Sequence, residues 1–320
     1  MNKIIKKIRN FIYKNYSQEL SSKDKVLIAK NILSEKKLLS SINDLGDVEF
    51  SCFSQWGEDG IINWLISKLP SIPKKFIEFG VGNYKESNTR LLLYLHNWQG
   101  LVIDNSDNYI KDIKNQDISW RYELNAISSH ITKDNINSML EKNKMTSDIG
   151  LLSIDIDGND YYVWRSIDIV RPVIVVVEYN AVLGDLHSIT VPYNPSFFRT
   201  KAHYSNLYFG ASLKALVDLG KKKGYTFIGT NTNGVNAFFV RNDHASEIMP
   251  LLSSVSAYPS RLREARGKNG ELMLVSGSDR LEIIKDCQFF NLTTEENINI
   301  KKLSKIYSSE WENGERNNFK

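Results

Sequence analysis

Cysteine is scarce in this chain: there are two in 320 residues, Cys52 and Cys287. They stand far apart and match no metal-ligand spacing, which excludes a disulfide framework and a zinc ribbon. Two packed thiols in a reducing, cytoplasmic compartment are expected instead. No apolar run approaches the ~20 residues that a membrane span requires. Near the N-terminus Lys3, Lys6, Lys7 and Arg9 interrupt any secretory apolar core, so no signal peptide is expected. Charge of one sign is also in short supply. A formal net charge of +4 permits acidic substrates but does not indicate a nucleic-acid binder. Internal repeats and low-complexity tracts are absent. What is there, 42% hydrophobic and 24% charged residues, is ample for one large domain with appendages or for two domains.

The most informative stretch is 74–105, KKFIEFGVGNYKESNTRLLLYLHNWQGLVIDNS. An apolar strand containing Phe76 and Ile77 runs into Glu78-Phe-Gly80-Val-Gly82. A helical segment follows, and a second strand ends on Asp104. A glycine turn with an acid at the tip of the next strand is how a Rossmann-like βαβ unit holds an adenosine moiety. The third glycine of a pyrophosphate-binding loop is missing, because Lys85 stands in its place. Glu78 and Glu86 flank the turn; they would repel a diphosphate and suit a ligand bearing a sulfonium and an ammonium. Asp104 can accept hydrogen bonds from both ribose hydroxyls. S-adenosylmethionine is therefore favoured over a dinucleotide.

Strands are expected near 75–79, 100–104, 121–127, 150–156, 172–178, 225–229 and 235–240, with helices between most of them. That alternation predicts an α/β, Rossmann-like, doubly wound and mostly parallel seven-stranded sheet. The last strand is expected to be antiparallel, because Gly229-Thr-Asn-Thr-Asn-Gly234 reads as a hairpin turn. The expected division is an N-terminal helical extension over 1–45, a catalytic domain over 46–244 and a helical, basic appendage over 245–320. In residues 1–20, Ile4, Ile5, Ile8, Phe11 and Ile12 share one helical face. They fit a membrane-surface or homo-oligomer contact, or a helix packed on its own domain. The excursion 181–210, rich in Tyr, Phe, His, Asn and Pro, is long enough to be expected to cover or build a site.

A second constellation lies on strands four and five. Leu151 to Asp160 carries Asp155 and Asp157 two residues apart, hence on one face of a strand. Strand five ends Glu178-Tyr-Asn180. At the carboxyl ends of parallel strands these groups face the ligand crevice. Asp155, Asp157, Glu178 and Asn180 together form a hard-oxygen set suited to Mg²⁺ or Mn²⁺. Helix capping by Asp157 and a hydrogen-bonded Glu178 are the structural alternative.

These residues give the chain a family likeness. It resembles the class I S-adenosylmethionine-dependent methyltransferases, particularly the FkbM-like group linked to O-methylation of sugars and related natural products. The resemblance is carried by Ser54-Gln-Trp-Gly-Glu-Asp-Gly60, Phe76 to Gly82 with Glu86-Ser-Asn-Thr89, Gly100 to Asp104, Leu151 to Gly158, and Glu178, and it covers roughly 50–240. It implies that Glu78, Gly80 and Gly82 line the methionine half of the cofactor. Asp104, with Asn105 beside it, would hold the ribose, and Asn125 and Ala126 would lie near the adenine. Gln55 and Glu58 would approach from the preceding helix start, and Asp155 from across the crevice. The paired tips Asp155/Asp157 and Glu178/Asn180 resemble the metal positions of catechol-type and macrolide-sugar O-methyltransferases. The family's acid-glycine-acid pattern after strand four reads Asp157-Gly158-Asn159-Asp160 here, which leaves the role of Asp160 open.

Methyl transfer needs an aligned nucleophile and a group that removes its proton. Asp157 and Asp155 are the expected base or ligand residues, and His187 and His203 in the excursion are further candidates. Tyr193, Tyr204, Tyr208 and Phe209 could stack on a sugar or nucleobase, and Arg261, Arg263 and Arg266 could neutralise a diphosphate. The expected acceptor is thus a small saccharide, nucleotide-linked or lipid-linked, in a surface-polysaccharide pathway such as capsule or lipopolysaccharide assembly. A nicotinamide-dependent oxidoreductase uses the same architecture, but the third glycine is missing and no Tyr-x-x-x-Lys pair follows the core. A nucleic-acid methyltransferase would carry Asn/Asp-Pro-Pro-aromatic after strand four, where Asp155-Ile-Asp-Gly stands. A binding protein that kept the fold without turnover would have to maintain four costly polar groups at two strand tips.

Overall fold

The computed structural model describes residues 21–36 and 39–319. The amphipathic segment expected over 1–20 lies outside the described residues. The chain enters through the helix Ser22–Lys36 and the helix Glu58–Lys68, then builds one sheet of seven strands. These are β1 Lys75–Phe79, β2 Gln99–Asp104, β3 Leu124–Ser128, β4 Ser147–Ile154, β5 Val170–Glu178, β6 Tyr225–Thr230 and β7 Asn236–Arg241.

Their spatial order is β3-β2-β1-β4-β5-β7-β6. Strands β1 to β5 pair in parallel, and β7 runs antiparallel to both β5 and β6. This is the Rossmann-like, doubly wound sheet expected from the alternation of strands and helices. Its order reverses between β1 and β4, the switch point at which open α/β sheets leave a crevice.

The strands are apolar on both faces because both are covered. Val175 and Val177 of β5 enter a core with Trp164 and Phe239, while Ile174 and Val176 enter the opposite core with Trp64 and Trp98. Acids appear at the carboxyl tips, where Asp104 follows Ile103, Asp155 follows Ile154 and Glu178 follows Val177. The hydrophobic strands thus fix the sheet, and their tips place the chemistry.

The appendage expected to be helical is not. Beyond the helix Asn242–Ile248 it holds two short α-helices, Asp279–Ile284 and Ser309–Glu312. A ribbon pairing Glu264–Arg266 with Leu272–Leu274 precedes the first of these, and one pairing Gln288–Asn291 with Glu296–Asn299 lies between them. Gly270 (φ 83°) and Gly277 (φ 57°) turn the chain where a helix would have to continue. The appendage also packs back on the sheet domain: Trp311 lies in the main core, and Phe290 and Asn291 pair with the two-residue strand Ile189–Thr190 of the excursion. Among the described residues no helix is long and apolar enough to cross a membrane.

Candidate active site

At the switch point the chain leaves β1 through Gly80 (φ 73°) and Gly82 (φ 53°). The Gly80 amide donates to the Ile103 carbonyl at 2.9 Å. Asp104 then stitches the neighbouring tips together. Its Oδ2 accepts the Gly82 N–H at 2.8 Å and its Oδ1 the Ser106 N–H at 2.9 Å. Its backbone carbonyl accepts the Ser129 N–H at 2.9 Å. Each carboxylate oxygen keeps a second lone pair, and the residue lines a cleft of about 1020 Å³ together with Gly80, Gly82 and Asn105. That volume is at the upper end of ordinary ligand sites and leaves room for two reactants.

Glu78, at the end of β1, is buried and fully engaged. It accepts from Ser87 Oγ at 2.6 Å, Thr89 Oγ1 at 2.5 Å and the Asn88 N–H at 2.8 Å. Burial pushes its carboxyl above the usual range, and these donors oppose the shift. The turn before the first crossover helix, Arg90–His96, therefore gives its donors to a carboxylate of the chain itself. A recess of about 80 Å³ adjoins this turn, lined by Gln55, Glu58, Glu78, Glu86 and Asn88, and shares Gly80 and Asp155 with the cleft. Gln55 donates to Glu86 at 2.8 Å.

Glu58 has a supporting position. Its Oε1 accepts from Asn231 and Asn236, both at 2.8 Å, and its Oε2 from the Trp56 N–H at 2.8 Å, tying the segment before β1 to the β6–β7 turn. Its neighbour Asp59 takes the N–H groups of Cys52, Phe53 and Ser54 at 2.8, 2.6 and 2.7 Å. Two acids of the Ser54–Gly60 motif thus organise backbone.

Across the crevice, Asp155, Asp157 and Glu178 each offer an oxygen within 4.8 Å of the others. Asp155 and Glu178 are pushed well above the ordinary carboxylate range, first by burial; then Asp157 repels Asp155, and Asp155 repels Glu178. Glu178 Oε2 is buried without a partner. Asp157 is half exposed and sits in the left-handed backbone region (φ 56°), held there by the loop that Asp160 organises. Asp160 is the missing piece of the loop after β4: it accepts the Ile156 and Gly158 N–H groups at 2.8 and 2.9 Å. Burial raises its carboxyl to about 6.

The excursion 181–210 folds over this cluster and delivers a residue that the strand-tip pattern does not announce. Arg199 Nη1 lies 2.5 Å from Asp157 Oδ1 and 3.9 Å from Glu178 Oε1. Asn180, expected as a metal ligand, holds the excursion instead. Its amide nitrogen donates to the Leu207 and Phe209 carbonyls, both at 2.9 Å, and its oxygen accepts the Val182 N–H at 3.0 Å. The set therefore reduces to three carboxylates with a guanidinium among them. At an effective dielectric near 20, a cation ~4 Å from a guanidinium is repelled by about 4 kcal/mol per unit of its charge. With Arg199 bonded to Asp157, Mg²⁺ or Mn²⁺ would have to displace the guanidinium to reach all three carboxylates.

Other expectations are corrected by position. Strand β3 runs to Ser128, so Asn125 and Ala126 lie within it: Asn125 bonds to Asn143 and Ala126 is buried in the core. The groups that line the cleft at that tip are Ser129, His130 and Ile131. His187 bonds to the Lys305 carbonyl at 2.6 Å and His203 to Ser205 at 2.8 Å, and neither lines the cleft. Burial lowers the His203 pKa. Tyr193 bonds to Asp134 and Tyr208 to the Gln288 carbonyl, both away from the cleft wall. Tyr204 is exposed and stacked on His203, whereas Phe209 lines the cleft beneath Arg199. Of the three arginines, Arg263 and Arg266 line it and Arg261 does not. Trp56, Tyr109, Phe197 and Arg280 are lining residues outside the expected set.

No protein family matches this chain, and no curated protein does. Among solved structures, it is similar to the N-terminal domain of EvdMO1 with SAH bound, at 8% identity over 66% of this chain and 94% of that one, TM-score 0.38. It is also similar to an O-methyltransferase from Bacillus cereus in complex with SAH, at 10% identity over 72% and 94%, TM-score 0.39. A third is an S-adenosylmethionine-dependent methyltransferase from Clostridium acetobutylicum, at 8% identity over 57% and 90%, TM-score 0.37. Likeness of this degree carries no inference about activity. The residues of the cleft have to supply it.

Proposed function

We propose that this chain is an S-adenosylmethionine-dependent O-methyltransferase acting on a saccharide hydroxyl. The observation that carries the reading is the engagement of Glu78 with Ser87, Asn88 and Thr89. A dinucleotide pyrophosphate needs free N–H groups at the turn into the first helix. Here the Asn88 N–H and the Ser87 and Thr89 hydroxyls meet a carboxylate, the Thr89 and Arg90 N–H groups are taken by Ser87 Oγ, and the adjoining recess is lined by Glu58, Glu78, Glu86 and Asp155. Such walls favour an amino acid ammonium and a sulfonium. Asp104 keeps lone pairs for the ribose, and His130 at the β3 tip lies in the cleft where the base would rest.

In the reaction, the acceptor oxygen attacks the methyl carbon, the C–O bond forms as the C–S bond breaks, and S-adenosylhomocysteine leaves. The hydroxyl proton passes to the Asp155/Glu178 pair. These two carboxyls hold protons more readily than ordinary ones, which makes the ionised member the stronger base. Asp157 and Arg199 complete the wall that faces the acceptor. Arg263 and Arg266 lie on the same cleft and suit a phosphorylated carrier, either a nucleotide sugar or another surface-polysaccharide precursor. Calorimetry against S-adenosylmethionine and NAD(H) tests the donor. Binding of NAD(H) with indifference to S-adenosylmethionine would reverse the assignment.

A further inference from the structure

We infer that Arg199 is the resident cation of the acid cluster: its guanidinium stands where a divalent ion would be held and makes the site metal-independent. The catalytic meaning of this assignment rests on the methyl-transfer reading, while its test does not involve the donor.

Three carboxyls with oxygens within 4.8 Å of one another must shed negative charge, by holding protons or by meeting a cation. The cluster also contains an unsatisfied buried group: Glu178 is 7% exposed, the residue lines the cleft, and its buried Oε2 has no hydrogen-bond partner. Arg199 meets that demand through Asp157 at 2.5 Å and approaches Glu178 at 3.9 Å.

The guanidinium is positioned by its own loop as well as by the acids. Its Nε donates to the Asn206 carbonyl at 2.6 Å, and its Cζ lies 3.7 Å from the centre of the Phe209 ring. Phe209 is in turn held through its carbonyl by Asn180. A lysine would reach the carboxylates as a point charge, but only the planar fork can bond, stack and stay charged at every working pH. Mg²⁺ would need contacts of ~2.1 Å to the same oxygens. The guanidinium and the ion are therefore alternatives.

Titration of the full-length protein with Mn²⁺, followed by the electron paramagnetic resonance signal of the free ion, tests this. The wild-type protein is expected to leave the signal unchanged. Arg199→Ala and Arg199→Gln, the second retaining a polar but uncharged side chain, are each expected to bind Mn²⁺ at least tenfold more tightly. Adding Asp157→Asn to either should abolish that gain. Two results would overturn the proposal: wild-type binding as tight as that of the variants, or no binding by two folded variants. S-adenosylmethionine calorimetry on the same samples keeps a failure of the donor reading separate.

Discussion

Gly80 and Asp155 meet backbone to backbone across the crevice: a Cβ on Gly80 would stand 1.6 Å from the Asp155 carbonyl oxygen. The glycine turn and the strand tip that bears Asp155 are therefore set against each other by direct contact. Gly82, two residues on, has the same left-handed backbone but open space around it. Gly82→Ala should cost only the ~1–2 kcal/mol of a left-handed alanine. Gly80→Ala should cost well beyond that and disturb Asp155 as well. Urea unfolding of the two variants measures the difference, and equal losses would contradict the contact.

Asp104→Ala removes the acceptor of two backbone N–H groups and of the proposed ribose hydroxyls. A hydrogen bond to a charged group contributes about 1.5–3 kcal/mol, so the loss of one to the ribose should weaken S-adenosylmethionine binding roughly tenfold to a hundredfold, and of both by more. Calorimetry reads the change directly. Unaltered affinity would remove Asp104 from the donor site.

Asp155→Asn should abolish turnover while leaving donor binding within a few fold. The pH profile carries the sign of the argument. The base works ionised, and the Asp155/Glu178 carboxyls are raised, so kcat/KM should climb as pH rises through their elevated pKa and then level off. Arg199 favours the ionised forms, so Arg199→Ala should move that climb to higher pH. A profile flat through the acid range in the wild-type enzyme would assign the proton to another group.

The histidines separate along the same lines. His187→Ala and His203→Ala lie off the cleft and should retain activity. His130→Ala removes a cleft wall whose ring stacks on Phe198 at 5.5 Å and bonds to the Pro195 carbonyl, and it should raise KM for the donor. Steady-state kinetics on the three variants decides.

Folding stability has its own pH dependence. Asp59 and Asp160 are fully buried, and burial raises both carboxyls to about 6. The folded state then holds these protons more tightly than the unfolded chain does. Their contribution is complete below the unfolded value near 4 and is lost as pH climbs through about 6. The thermal midpoint should therefore rise between pH 7 and pH 5, and less so in Asp59→Asn. A midpoint that falls steadily over that interval would mean that these carboxyls are ionised in the fold.

Much of this arrangement could be read from residues alone, because strand periodicity and the acids at strand tips are local signals. Asp104, Asp155 and Glu178 each follow an apolar strand directly, and the sheet brings them to one crevice. Asn125 and Ala126 went astray because β3 ends at Ser128, so the cleft-lining tip falls at Ser129 to Ile131, a few residues further along. Arg199 carries no such signal: it lies 42 residues from Asp157 along the chain, on a loop whose path is set by Asn180, Asn206 and Phe209. Glu58 looked like a ligand contact because an acidic motif says nothing about which donors its carboxylate, or that of Asp59 beside it, meets. In the fold these donors are amides of Trp56, Asn231 and Asn236 for one acid, and backbone N–H groups for the other.

The placement of β7 between β5 and β6 has a consequence for how the molecule is made. The strand synthesised last of the seven must slide into a gap flanked by two made before it, and it brings Asn236 to the waiting carboxylate of Glu58. A nascent chain cut short of Asn236 would leave the flank of β5 bare and Glu58 short of one of its three donors. The donor crevice thus matures only when translation has passed the whole sheet, and truncated products should aggregate rather than persist as half-active fragments.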